Sequence, residues 1–422
     1  MSMKSFLADL AWRGLIADQT PGLTDRLAAG PISGYVGFDP TAVSLQVGNL
    51  VPIMLLAHLQ RAGGRPIVVV GGGTGRIGDP SGKRAERPLL EDVALARNLE
   101  RQRRQFGRFF RFGDGPTDAI MVDTAEWLVD LNLVTFLRDI GKHFTLSYML
   151  QKESVKGRLE SGISFTEFSY MLLQAYDFLQ VRRRYECALQ MGGSDQWGNI
   201  TAGIELIRRL DAADAHGLTA PLVTTSSGMK FGKSEGEAVW LDPDLTSPYA
   251  FHQFWINTDD HDVGAYLRMF TFLPRDAIDG LMERHDADRG ARIPHRALAD
   301  DVTARVHGAE AAQSAEQAAR VLFGELDPRD ADAGTWRMLA AELPCAELDL
   351  TEPVSAVDLV TGAGLAKSRG EARRLVDQNG VTRNGVPLTL DQETGPADAL
   401  AGGYIWLRRG KKTDALVVTS GR

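Results

Sequence analysis

Short apolar runs of strand length alternate with amphipathic stretches of helical period along residues 1–235. Pro66–Val70 reads as a buried strand that runs into Gly71-Gly72-Gly73. Ala119–Val122 and Ala188–Met191 read the same way, the second running into Gly192-Gly193. Between them, Val51–Gln60 and Val93–Phe110 carry the spacing of amphipathic helices. Such alternation predicts an α/β domain built on a doubly wound parallel sheet. Sheets of that kind hold ligands beyond the carboxyl ends of their strands, which is where these glycines fall.

The pattern changes after residue 235. Residues 236–323 read as a helical domain rich in Ala, Arg and Asp, and 324–353 as an irregular linker with one short helix. Residues 354–422 read as a separate small α+β module. Within it, Ser368 and Glu371 form a capping box that opens a helix bearing Arg373 and Arg374, and Asn379-Gly380 can close it. Asn384-Gly385 then reads as a tight hairpin turn between short strands.

Composition narrows the class. The chain has 422 residues, 44% hydrophobic and 24% charged, which excludes a disordered or fibrous protein. No apolar run approaches the ~18 residues of a membrane span, so no membrane partner is expected. Met1–Leu10 holds Lys4 and Asp9 and does not read as a signal peptide. Cys187 and Cys345 stand far apart, which fits reduced thiols in the cytoplasm and excludes a disulfide scaffold or a cysteine-rich zinc site. The net charge is −8, but residues 354–422 carry 10 Lys/Arg against 7 Asp/Glu. A basic tail on an acidic body suggests a module that meets phosphates.

Five segments hold candidate chemistry. In residues 34–49 an apolar strand ends in Phe38-Asp39-Pro40-Thr41, and Gln46-Val47-Gly48-Asn49 opens a helix whose free N–H groups attract anions. Residues 71–83, GGGTGRIGDPSGK, are too glycine-rich for a plain connection. Their formal GxGxxG runs into Asp-Pro-Ser-Gly instead of a helix, so a dinucleotide fingerprint is set aside. Lys83 and Arg87 close that segment as candidate phosphate contacts. Ser164 and Glu167 cap a largely apolar helix on which Tyr170, Gln174 and Asp177 stand one above another. A buried polar stripe needs partners, which an internal network or a polar ligand can supply. Residues 190–199 place Asp195 and Gln196 after a strand, suited to a ribose hydroxyl and a substrate carbonyl. Lys230-Phe231-Gly232-Lys233-Ser234 fits a clamp on polyphosphate. Each segment taken alone also fits an ordinary turn, surface loop or core network.

Together the segments resemble one family, the bacterial tyrosyl-tRNA synthetases of class I. The resemblance runs in order through residues 35–52, 71–83, 152–179, 189–203, 230–234 and 247–260, and again through 367–385. It implies a Rossmann-like catalytic domain over 1–235 with a dimer-forming insertion at about 123–188, a helical domain, and an S4-like RNA-binding domain at the C-terminus. It implies that ATP, accompanied by Mg²⁺, activates L-tyrosine to the adenylate, and that tyrosine then passes to the 3′ end of tRNA(Tyr). No tightly bound metal or organic cofactor is expected. A homodimer built around Phe165 is implied.

The same resemblance assigns roles. Tyr35 and Asp177 would hold the tyrosine hydroxyl, and Asp79, Tyr170 and Gln174 its ammonium. Gln196 would lie at its carboxylate. Gly37, Asp39, Thr41, Gln46, Gly48, Asn49, Gly193, Asp195 and Ser234 would form the ATP site, with Lys230 and Lys233 clamping phosphates and Lys83 and Arg87 assisting. Lys367, Arg369, Arg373 and Arg374 would contact tRNA. One departure stands out: the first histidine of the family's HIGH signature is Gln46 here, whose amide still donates but is longer, neutral and differently aimed. Val36 also stands where a small polar residue is often found beside the ribose. Two other readings share these residues. One is an enzyme that adenylates tyrosine or an analogue for another purpose, and the other is a non-catalytic RNA-binding protein.

Overall fold

The computed structural model describes residues 2–79, 90–152, 155–157, 162–226, 228, 231–234, 237–411 and 413–419. It divides into two compact units, Met1–Thr246 with Ile256–Leu298, and Ser247–Trp255 with Ala299–Arg422. The first unit is built on six strands: β1 (Asp18–Gln19), β2 (Ser33–Phe38), β3 (Arg65–Val70), β4 (Ile120–Asp123), β5 (Leu189–Gly193) and β6 (His216–Ala220). Their order across the sheet is β1-β6-β5-β2-β3-β4, with only the β1–β6 pair antiparallel.

The burial of these strands explains their composition. Every residue of Pro66–Val70 is buried, as are Leu189–Gly192, because helices cover both faces of a parallel sheet. The flanking helices are Leu50–Arg61, Asp92–Phe106, Phe165–Tyr185 and Trp197–Asp211. Gly34 and Gly64 allow close packing, since a Cβ at either would meet Leu59 within 2.8 Å. Chain order reverses between β2 and β5, where Tyr35 pairs with Gln190. That reversal leaves a crevice at the carboxyl ends of the two strands.

The helix Phe165–Tyr185 starts where the capping box placed it, with the Ser164 hydroxyl accepting from the Glu167 N–H at 3.2 Å. The formal GxGxxG at residues 73–78 itself contains the 3₁₀ turn Thr74–Arg76. Among the described residues no helix is long and apolar enough to cross a membrane.

In the second unit the strands Val386–Pro387, Val381–Arg383, Tyr404–Arg409, Thr413–Thr419 and Cys345–Leu348 form one sheet in that order. Asn384 and Gly385 both take left-handed φ, 50° and 82°, as a two-residue hairpin with a matching twist requires. The helix Arg369–Asp377 is capped by Ser368, whose hydroxyl accepts from the Glu371 N–H. It ends on Asn379, which takes the left-handed residue's place at φ 52° where the sequence offered Gly380 as well. Residues 324–353 differ from a plain linker. They contain the expected short helix, Ala333–Glu342, but Cys345–Leu348 pairs in parallel with Leu416–Thr419. Trp336 and Leu339 are buried with Trp406 and Leu416, so apolar contacts bind this stretch into the C-terminal core. Two scattered apolar anchors in a short segment leave no periodicity to read.

Candidate active site

A cavity of about 660 Å³ opens at the carboxyl ends of β2 and β5. It collects Tyr35, Asp79, Tyr170, Gln174, Asp177 and Gln196, with Gly37, Asp39, Thr41, Gln46, Gly48, Asn49, Gly193 and Asp195 also in its wall. Five separate stretches of sequence thus converge on one space. Lys83, Arg87 and Lys230 lie outside the described residues. Lys233 and Ser234 are placed by backbone alone, as a two-residue strand paired with Glu237–Ala238.

The cavity's inner wall is buried and polar at only a few points. Tyr35 is 1% exposed on β2, its ring edge-on to Phe178 at 5.2 Å. Its hydroxyl makes no hydrogen bond among the described residues. Asp177 is also buried, and its Oδ1 accepts from the Trp127 indole N–H at 2.7 Å. Burial pushes the Asp177 carboxyl well above the usual aspartate range, and the nearby charge of Asp39 adds to the rise, while the Trp127 hydrogen bond opposes both. Burial also holds the Tyr35 phenol well above its ordinary value, with Asp177 and then Cys187 adding to it. Tyr35 is therefore a neutral donor beside a carboxyl short of partners. Cys187 itself is pushed up to about 12 by burial, so it remains an unreactive thiol.

Further along the same helix face, Gln174 joins a relay. Its Nε2 donates to Gln196 Oε1 at 3.1 Å, and its Oε1 accepts from Asn199 Nδ2 at 2.8 Å. Gln196 Nε2 in turn donates to Asp79 Oδ2 at 2.7 Å. The Tyr170 hydroxyl reaches Asp39 Oδ2 at 3.4 Å. The result is a band of amide and carboxylate groups between the buried phenol and the mouth, fit to surround a zwitterion.

The mouth is shaped for close approach to backbone. The Gln46 N–H donates to Asn49 Oδ1 at 2.9 Å, and the Asn49 N–H to the Gln46 carbonyl at 2.8 Å, fixing the turn that opens Leu50–Arg61. A Cβ at Gly48 would meet nothing within 4 Å, whereas one at Gly193 would lie 2.5 Å from Asp195 Oδ1. Gly48 therefore presents open backbone, and Gly193 is small because a carboxylate folds against it. Phe231 anchors the following loop, packed on Tyr266 and Phe270 at 5.1 and 5.2 Å between ring centroids.

Residues 27–324 match the family model described as tRNA synthetases class I (W and Y). The chain belongs to this family of class I tRNA synthetases. Residues 337–417 match the model for a tyrosine–tRNA ligase SYY-like C-terminal domain. The chain is similar to a tyrosine–tRNA ligase of Anaeromyxobacter dehalogenans, 55% identical over 98% of this chain and 99% of the relative. A tyrosine–tRNA ligase of Nocardia farcinica is 48% identical over 98% of each. Among solved structures, a C-terminally truncated mitochondrial tyrosyl-tRNA synthetase of Aspergillus nidulans superposes with a TM-score of 0.69. It is 31% identical and covers 75% of this chain and 94% of that one.

Several groups of this class I synthetase site went unassigned in the sequence. Trp127 supplies the hydrogen bond to Asp177, and nothing around it in sequence marks that role. Asn199 fixes Gln174 from the next helix. Gln190, paired with Tyr35 across the sheet, lines the cavity with its Oε1 unpartnered. A glutamine in an otherwise apolar buried strand is a legible signal in retrospect.

The Asp177 site opposes folding in a testable way. A carboxyl raised above its unfolded value contributes stability at low pH that is lost as pH rises through the folded value. Asp177→Asn keeps an oxygen for the Trp127 N–H while removing the buried charge. The substituted chain will unfold at a higher temperature than wild type at pH 8, where the buried carboxylate charge costs stability. The difference will shrink toward pH 4, near the ordinary aspartate value of ~4. Thermal unfolding followed by circular dichroism at the two pH values measures both.

Proposed function

We infer that the chain is a tyrosine–tRNA ligase: it activates L-tyrosine with ATP to tyrosyl-adenylate, releasing pyrophosphate, and transfers tyrosine to tRNA for protein synthesis. The observation that carries this reading is the buried Tyr35 hydroxyl beside the Asp177 carboxyl at the inner wall of the cavity of about 660 Å³. A substrate phenol placed there can donate to Asp177 and accept from Tyr35. Asp79, Tyr170 and Gln174 would then surround the ammonium, with Gln196 near the carboxylate. The nucleotide would lie along Gly37, Asp39, Thr41, Gly48, Asn49, Gly193 and Asp195, its ribose toward Asp195. Open backbone at Gly48 and the carboxylate folded against Gly193 support that placement.

In this reading the chain works by positioning. The tyrosine carboxylate oxygen attacks the α-phosphorus and the bond to pyrophosphate breaks, so no side-chain nucleophile is needed. Charge develops on phosphate oxygens, and fixed donors and cations aimed there lower the barrier. Gln46, Asn49, Lys83, Arg87, Lys230 and Lys233 would supply them. Mg²⁺ would enter with ATP and neutralise phosphate charge. The residues in hand fit that role, because Mg²⁺ keeps much of its water and needs no dedicated protein cage. The 3′-terminal adenosine of tRNA then takes the tyrosyl group.

Residues 354–422 would serve as the RNA-binding module. Lys367, Arg369, Arg373 and Arg374 are all exposed on or before one helix, where they can meet phosphates. Arg369 is partly committed already, through an ion pair with Asp358. The chain would act as a homodimer in the cytoplasm. Phe165 is 78% exposed, and Leu133, Val134 and Leu146 are each at least two-thirds exposed, an amount of bare apolar surface a monomer seldom keeps. Phe165→Asp should shift sedimentation of the purified protein from dimer toward monomer; a monomeric wild type would refute this assembly.

Two kinetic outcomes test the site. Tyr35→Phe removes one buried hydrogen bond to the substrate hydroxyl. The KM for tyrosine in tRNA charging will rise about 10-fold, as expected for the ~1.4 kcal/mol such a bond contributes. Gln46→His restores a donor of the reach and charge found in the family signature. It will raise the rate of tyrosine activation by up to about 10-fold, the gain from one well-aimed donor. Unchanged activation in single-turnover measurements would show that Gln46 is a full substitute.

A further inference from the structure

Away from the cavity, three helices bring one chelating side chain each, all three within the first unit, to a common point. Asp260 is the first residue of helix Asp260–Phe270, His285 lies in the last turn of Arg275–Ala287, and His295 in the first turn of Ile293–His307. Their ligand-capable atoms all lie within 4.8 Å of one another. His295 Nε2 is 3.2 Å from Asp260 Oδ1, and His285 Nε2 is 3.8 Å from the same oxygen.

The state of the two imidazoles is unusual. His285 is 1% exposed and His295 is fully buried, and among the described residues neither ring has a hydrogen bond of good geometry, although the Thr258 backbone lies beside His295. The rings meet edge to face at 5.4 Å, so stacking does not account for them. Two buried rings that share one carboxylate oxygen are under-satisfied, which costs free energy unless something occupies the point on which they converge.

We propose that Asp260, His285 and His295 form a binding site for a divalent transition-metal ion, best matched by zinc. Zinc ligands at about 2.0–2.1 Å in a tetrahedron stand about 3.3 Å apart, so the observed separations need only small adjustments. Two imidazoles and one carboxylate favour zinc over calcium or magnesium, which prefer oxygen donors. The Asp260 side chain is about one-third exposed (34%), which leaves a fourth position for water. Arg292 opposes the ion, with Nη1 3.7 Å from Asp260 Oδ1. Its Nη2 also donates to the carbonyls of Ile256 and Thr258, so it keeps partners when Asp260 turns to the metal. None of the three ligands lines the amino-acid cavity. The site's effect would be to pin three helix ends together.

Cobalt reports the coordination directly. The full-length chain, stripped with chelator and titrated with Co²⁺, should bind one ion per chain and show the strong visible bands of a low-coordinate nitrogen–oxygen site. Zn²⁺ should abolish those bands and raise the melting temperature. His295→Gln and Asp260→Asn should each weaken zinc binding by at least about 10-fold. If His295→Gln fails to fold, Asp260→Asn at the partly exposed ligand carries the same test. No bands in the wild type would overturn the proposal. So would metal binding that survives both substitutions, because the ion would then sit on surface groups such as His261.

Discussion

A carboxyl group buried in an apolar core is the constraint from which the rest of the catalytic unit follows. Asp177 lies on a helix whose buried apolar positions are Met171, Leu172, Ala175, Phe178, Leu179 and Val181. One indole N–H from Trp127 is the only hydrogen bond it draws from a side chain among the described residues. The Tyr35 hydroxyl beside it has no hydrogen-bond partner among the described residues. Two polar groups short of partners in a core are a standing cost of folding. In the proposed reading a substrate hydroxyl would remove that cost, because it can donate to one and accept from the other.

The sheet explains why this pair can form. Tyr35 is on β2 and packs against Phe178 from the helix that carries Asp177, while Gln190 is beside Tyr35 on β5. β2 and β5 are neighbours only because strand order reverses between them. The reversal opens the crevice, and Gly37 and Gly48, where a Cβ would meet nothing within 4 Å, leave backbone open in its wall. The relay from Asn199 through Gln174 and Gln196 to Asp79 then fixes the amides that would otherwise rotate. Preorganisation of this kind lets a site with no nucleophile accelerate a transfer between two substrates.

Much of the fold is legible locally. The serine caps at Ser164 and Ser368 and the turn at Asn384-Gly385 are short-range chemistry, and the chain obeys them, although Glu371 accepts from the Lys367 N–H and not from that of Ser368 as a full capping box would have it. The polar stripe Tyr170/Gln174/Asp177 is legible too, because a helix repeats every 3.6 residues whatever surrounds it. Trp127 is not, since its role depends on a contact 50 residues away in sequence. The pairing of Cys345–Leu348 into the C-terminal sheet is hidden for the same reason: four residues of mixed character become a strand only because a neighbouring edge accepts them. The convergence of Asp260, His285 and His295 likewise needs three helices in place. Spacings of 25 and 10 residues match no short metal-binding motif.

The central claim is that the buried Tyr35 and Asp177 pair reads a phenolic hydroxyl and so selects the amino acid activated. The most direct test is ATP–pyrophosphate exchange on the purified chain, without tRNA, comparing L-tyrosine with L-phenylalanine. The account predicts brisk exchange with tyrosine. With phenylalanine it predicts at least about 10–100-fold less, since that side chain leaves both buried groups unpaired at ~1–3 kcal/mol. Equal exchange with the two amino acids, or none with tyrosine, would contradict it.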